Sequence, residues 1–333
     1  MSAVSLGDLA RTFLLRRQNA ALKADVQRLS TEVVTGVAAD VHQKTGGDLS
    51  ALQAIDGSLT VLAARASATG EAASIASALQ TGLARLDGLA SDMSMKLLSV
   101  GNNATAMTTD QLGEEAEEAF RTAVATLNTR VGDRSIFAGT RPQQAAVLDA
   151  DTILTALDTV IAGATTAADV QTAIEAWFDD PSGYSALAYT GGGRPASVTI
   201  ATGETVALEV TADSSAIRDS LKGLALAAML NRGALSGAPS ERVSLGERAG
   251  SALLQGQTAR VDLGARLGRA EARIHSATIS NAAEVTSLQM ARKELLGTDE
   301  YETATLLKAT QAQLETLYNL TVRLSQMSLT DYL

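Results

Sequence analysis

The chain of 333 residues contains no cysteine, which excludes disulfide staples, thiol chemistry and any thiolate metal site. Aromatic residues are scarce at 3%, with one Trp and four Phe. Aromatics supply the bulkiest contacts of cores and pockets, so this composition suits long seams lined by Ala and Leu better than a compact core around a deep pocket. Long apolar runs are also missing. The longest, Leu224 to Leu230, falls far short of the ~20 residues that span a bilayer, so no membrane insertion is expected. A net charge of −10 and a pI near 4.8 leave no basic footprint for nucleic acid. Residues 1–30 are a local exception, with Arg11, Arg16, Arg17, Lys23 and Arg28 against Asp8 and Asp25. A solvated helix face is the reading favoured there over a phosphate or lipid site. The N-terminal residues lack the ordered charged, apolar and small-residue regions of a cleaved signal peptide, so export would need another route.

Proline is missing from both flanks. Pro142, Pro181, Pro195 and Pro239 all lie in the middle of the chain. A proline inside a helix costs about 3 kcal/mol or more, so flanks without it can carry long helices. Periodicity agrees. Leu15, Leu22, Val26, Leu29 and Val33 are spaced seven, four, three and four apart, as in a coiled-coil seam. Leu52, Ile55, Leu59 and Leu62 begin a second stripe that runs to about Val100 and breaks at Gly101-Asn102-Asn103. A third takes in Leu112, Ala116, Phe120, Val124, Leu127 and Val131; a fourth, Leu263, Leu267, Ile274 and Val285, ends near Gly297. Leu307, Thr310, Leu314, Leu317, Thr321 and Leu324 close the chain with threes and fours.

The middle predicts a different texture. Helices are expected over Thr152–Phe178 and about Ser214–Asn231, with a linker from Gly233 to Pro239. Short strands are expected at Ser185–Tyr189, Ser197–Ala201 and Thr205–Thr211, the last alternating at Val206, Leu208 and Val210. The fold class is therefore mainly α. The N- and C-terminal segments form a long antiparallel coiled coil or helical bundle, and a mixed α/β domain, inserted between them, protrudes as a decoration.

Residues for chemistry are hard to find. His42 and His275 stand alone in unrelated segments, with no partner at metal-pair spacing. Gly191-Gly192-Gly193 is followed by no Gly-Lys-Ser/Thr and opens no helix, so it predicts a loop between strands. Glu114, Glu115, Glu117 and Glu118 predict a helix start, where carboxylates suit the dipole. No catalytic residue, cofactor or metal site is assigned, and no enzyme activity is expected.

Three stretches carry a resemblance. Leu29-Ser30-Thr31-Glu32-Val33-Val34-Thr35-Gly36 follows the first helical seam, Asp133-Arg134-Ser135-Ile136-Phe137-Ala138-Gly139-Thr140 follows a long helix, and Leu324-Ser325-Gln326-Met327-Ser328-Leu329-Thr330-Asp331-Tyr332-Leu333 closes the chain. They are similar to the flagellin family, and the second resembles the point where that family's hook–filament junction members leave the helical core for an outer domain. Tyr189-Thr190-Gly191-Gly192 resembles the outer domain's Tyr-x-Gly pattern. Two departures stand at the N-terminal end: Glu32 replaces an early Gly, and Thr45-Gly46-Gly47-Asp48 stands where the pattern has an Asp-Asp-Pro turn.

The resemblance implies a structural subunit of the bacterial flagellum at the hook–filament junction. Filament flagellin and a cytoplasmic coiled-coil scaffold are the alternatives. It further implies an inner-domain helix over 1–45, a helical rod over 46–137, an inserted outer domain over 138–240, a return helix over 241–297 and a C-terminal inner helix over 298–333. The implied assembly interface is Leu15, Leu22, Val26, Leu29, Val33, Leu307, Leu314, Leu317, Leu324 and Leu329. Its implied partners are copies of the same chain, a neighbouring hook-associated protein, flagellin and a flagellar export chaperone. Its implied location is extracellular, after export through the flagellar type III secretion channel without a cleaved signal.

Overall fold

The computed structural model describes residues 6–100 and 105–330, with side chains from 10 to 323 within those limits. The break expected at Gly101–Asn103 lies outside them. Helix α1 (Leu6–Thr35) ends where Gly36 takes φ +67°, its N–H donating to the Glu32 carbonyl at 2.8 Å. A left-handed residue just past a helix is where glycine carries no Cβ penalty. The stretch Leu29–Thr35 is thus still helical, and only Gly36 begins the connection. Asp40 caps the single turn α2 (Val41–Lys44) by accepting from the Gln43 N–H. After Gly46 and Gly47, both at positive φ, α3 (Ser50–Val100) runs 51 residues, about 77 Å at 1.5 Å per residue.

Helix α4 (Ala106–Leu127) begins with a reciprocal cap between Thr105 and Thr108. A hairpin of β1 (Arg130–Val131) and β2 (Arg134–Ser135) follows, so Val131 sits in a strand and not on the helical stripe. The helix expected over 152–178 is two, α5 (Ala150–Ile161) and α6 (Ala167–Asp179), because Thr166 caps a new start by accepting from Asp169 N–H. Residues 185–189 depart from the strand expectation. They begin with one helical turn, α7 (Tyr184–Leu187), anchored by Tyr184, whose ring stacks on Phe178 at 5.2 Å and whose hydroxyl donates to the Ala212 carbonyl. Burial raises the pKa of that hydroxyl. Strands β3 (Val198–Ala201) and β4 (Glu204–Val206) pair antiparallel through a turn with Gly203 at φ +72°. Leu208 and Val210 are buried as their alternation predicts, but lie beyond the ladder. Helices α8 (Ser215–Ala228), α9 (Pro239–Gln255), α10 (Gln257–Leu296) and α11 (Glu300–Thr330) complete the chain, with Pro239 opening α9, where its missing N–H is harmless.

Two compact units result. The first takes residues 1–63 and 282–333, the second residues 64–281. In the second, one apolar core joins α3 residues such as Leu79, Leu86 and Met93 to Phe120, Phe137, Leu154, Ile174, Leu224 and Leu253. Helix α8 lies against α4 and α9 and is nearly all buried, so this part of the insert is core. The acidic cluster is corrected too. Helix α4 starts at Ala106, which puts Glu114–Glu118 well past the first turn, beyond the reach of its dipole. Glu117 is instead buried, accepting from Arg121 at 2.7 Å and from Asn231 at 2.6 Å.

Candidate assembly interface

In the first unit α1 packs against α11, bringing the two predicted stripes together. Leu29 and Leu317 are buried, at 4% and 5% exposure; Leu15, Leu22, Val26, Val33, Leu307 and Leu314 are half-buried. The side chains of Leu324 and Leu329 lie outside the described residues. Each stripe is a seam that its partner covers only in part, as expected when a single helix faces a single helix.

Polar groups pin the register. The Lys23 ammonium lies 5.7 Å from the centre of the Tyr318 ring. Hydrogen bonding from Lys23, supported by Asn19, holds the Tyr318 hydroxyl below its ordinary pKa because both favour the phenolate. Nearer the C-terminal end of α1, Glu32 is buried and paired with Arg28 at 3.2 Å, and accepts the Ala39 N–H at 3.1 Å. Glu32 thus ties the connection after α1 back onto the helix, a role a glycine cannot fill. Ala38 donates to the Leu296 carbonyl and Thr298 to that of Gly36, at 2.9 and 3.1 Å, so the chain leaving α1 pairs with the chain entering α11. Arg292 and Asp56 add an exposed ion pair at 2.9 Å between α10 and α3. The sequence stripes carried a signal for Asn19, four residues after Leu15 and three before Leu22. Nothing in the spacing marked Lys23–Tyr318.

The second unit gives Ile136–Thr140 a structural role. Phe137 is fully buried against Gly82, where an added Cβ would fall 2.8 Å from the ring. Gly139 has φ +59°, and a Cβ there would lie 2.3 Å from the Gly193 carbonyl oxygen. That oxygen accepts from Thr140 N–H at 3.0 Å, and the Gly192 N–H donates to Ala138 at 2.8 Å. The triple-glycine loop is therefore the close-packed partner of this motif. Among the described residues, no group of three or more His, Asp or Glu is arranged to hold a metal, and no helix is long and apolar enough to cross a membrane.

Residues 253–333 match the family described as the bacterial flagellin C-terminal helical region. The chain is flagellin-like at this end. A solved structure described as a flagellar hook-associated protein from Vibrio parahaemolyticus shares the fold, with a TM-score of 0.54 over 73% of this chain and 95% of that one. At 13% identity this likeness is one of fold. No curated protein matches the chain. The first finding is a likeness of residues 253–333 to the flagellin C-terminal region, and the second is a likeness of fold.

Proposed function

We propose that this chain is a structural subunit of the hook–filament junction of the bacterial flagellum, built in by helical self-assembly through α1 and α11. The observation that carries the reading is the pairing of the flagellin-like C-terminal helix with the N-terminal helix along a seam that stays half-exposed. A two-helix seam gains stability when further helices cover it, and copies of the same chain would supply them. Leu15, Leu22, Val26, Leu29, Val33, Leu307, Leu314 and Leu317, continued by Leu324 and Leu329, form that interface. The Ile136–Thr140 resemblance favours the junction over the filament, and the buried Phe137 and constrained Gly139 support its weight as a structural motif. A neighbouring hook-associated protein and flagellin flank the subunit in this reading. An export chaperone delivers it to the flagellar secretion channel.

Immunogold electron microscopy of whole flagella tests it, with antibody raised to residues 140–200. Labelling confined to one band where hook meets filament is the expected result. Label along the filament would make the chain a flagellin.

A further inference from the structure

Among the described residues, the first half of α1 carries two large apolar side chains that stay exposed. Phe13 and Leu14 are 66% and 62% exposed, in a stretch that also holds Arg11, Arg16 and Arg17. No carboxylate occurs from residue 9 to residue 24. None of the three arginines forms an ion pair among the described residues, whereas Lys23 is engaged by Tyr318. Cationic side chains flanking two bare apolar ones are a poor solvated face, because water must order around Phe13 and Leu14.

The complementary surface lies elsewhere in the same unit. A groove of about 320 Å³ runs between the end of α1 and the start of α11, lined by Asp25, Glu32, Asp299 and Glu302 against Arg28 and Lys44. Arg28 is taken up internally by Asp25 and Glu32. Asp299 caps α11 through the Glu302 N–H, so Glu302 itself, with the adjacent exposed Glu300, is left without an ion pair among the described residues. Leu306, half-exposed on the groove wall, and Tyr301, 85% exposed beside it, supply apolar surface.

One copy cannot join its own two surfaces. Residues 11–17 and 25–32 lie on the same continuous helix, and their centres are separated by about 22 Å at 1.5 Å per residue. We infer that the Arg11–Arg17 stretch of one copy docks on the Glu302–Leu306 groove of a second copy, head to tail, with Phe13 and Leu14 covering Leu306 and Tyr301. The contact is heterologous: each copy uses one surface and leaves the other free, so it propagates along an axis. It rests on the self-assembly reading and specifies which surfaces meet and with what offset.

The absence of cysteine makes a clean test. Full-length Leu14→Cys and Leu306→Cys proteins, each with a single thiol, are mixed at low ionic strength and oxidised. The expected product is the mixed Leu14→Cys–Leu306→Cys dimer. Its yield should fall several-fold between 0.1 and 1 M salt, as the Debye length shrinks from about 10 to about 3 Å. Placing Arg16→Glu and Arg17→Glu on the Leu14→Cys protein should reduce the yield at least fivefold, with circular dichroism showing unchanged helix content. Adding Glu300→Arg and Glu302→Arg to the Leu306→Cys partner should restore it. Predominant Leu14→Cys homodimers, a yield indifferent to salt, or absence of the mixed dimer would each overturn the head-to-tail contact. Absence of the mixed dimer while immunogold still gives a single band would overturn this contact alone. Label along the filament would instead overturn the junction reading.

Discussion

Aromatic residues divide the two units sharply. In residues 64–281, Phe120, Phe137, Phe178 and Tyr184 are fully buried, and Trp177 meets Phe178 edge-on at 5.0 Å. In the other unit Phe13, Tyr301 and Tyr318 are all exposed, from 42% to 85%. Fully burying one large side chain contributes about 1.5–3 kcal/mol, so the second unit holds itself together. The first buries little beyond Leu29, Ala38, Leu62, Leu296 and Leu317. The same chain thus contains one self-sufficient core and one partly covered seam, and the units differ in whether they bury their aromatics, not in how many they carry.

The sharpest way to break this comparison is to remove residues 139–239. Were the insert only a decoration, the remainder would keep its cooperative unfolding transition. Because α8 is buried between α4 and α9, we expect calorimetry of the deletion to show no such transition. Phe137→Ala should come next, lowering the stability of the second unit by about 3–5 kcal/mol through lost burial and a cavity. Denaturant unfolding followed by Trp177 fluorescence measures it, and a loss under 1 kcal/mol would remove Phe137 from the core's keystones. Leu29→Ala should cost about 2 kcal/mol, the low end for a buried Leu, because a two-helix seam can close up around the gap. Limited proteolysis should then cut α1 and α11 faster while leaving Trp177 fluorescence unchanged.

Smaller effects sharpen the picture. In Lys23→Met the Tyr318 hydroxyl should titrate at a higher pH, with stability little changed because the pair is exposed. Ultraviolet titration against a Tyr318→Phe control isolates the signal. The cap carboxylates of the second unit give the least. Asp149 and Asp169 are held below their ordinary pKa, mainly by hydrogen bonds from Thr152 and Thr166 respectively. Their contribution is therefore present above the unfolded value of about 3.9 and lost as pH falls through the lowered folded values. Asp149→Asn with Asp169→Asn should lower the melting temperature slightly at pH 7, where the carboxylates contribute, and converge on the parent protein as pH falls below 4.

The long helices were legible because they depend on local signals: proline-free flanks, spacings of three and four, and Gly36 and Pro239 at their ends. The α1–α11 stripe was legible for the same reason. The middle was less so. Ser185–Tyr189 has strand-like composition, yet Tyr184 is drawn under Phe178 and the backbone winds into a turn, a tertiary effect that composition does not encode. Glu114–Glu118 looked like a helix start because carboxylates suit the dipole there, while the true start is the Thr105 cap nine residues before Glu114. Glu32 was visible only as a departure from a glycine. It accepts the Ala39 N–H, seven residues on, across the left-handed turn at Gly36, a backbone geometry that residue spacing alone does not reveal.

The core of the second unit is closed by bonds between residues very far apart in the chain. Ser94 donates to the Gly250 carbonyl and Arg260 pairs with Asp87, across 156 and 173 residues. Closing such loops carries an entropic penalty before any contact repays it, which slows folding. A chain that emerges N-terminus first has α3 in hand long before α9 and α10 exist to lock it. Residues 64–281 therefore stay open until more than three quarters of the protein has appeared, and the order of emergence acts as a built-in delay on folding.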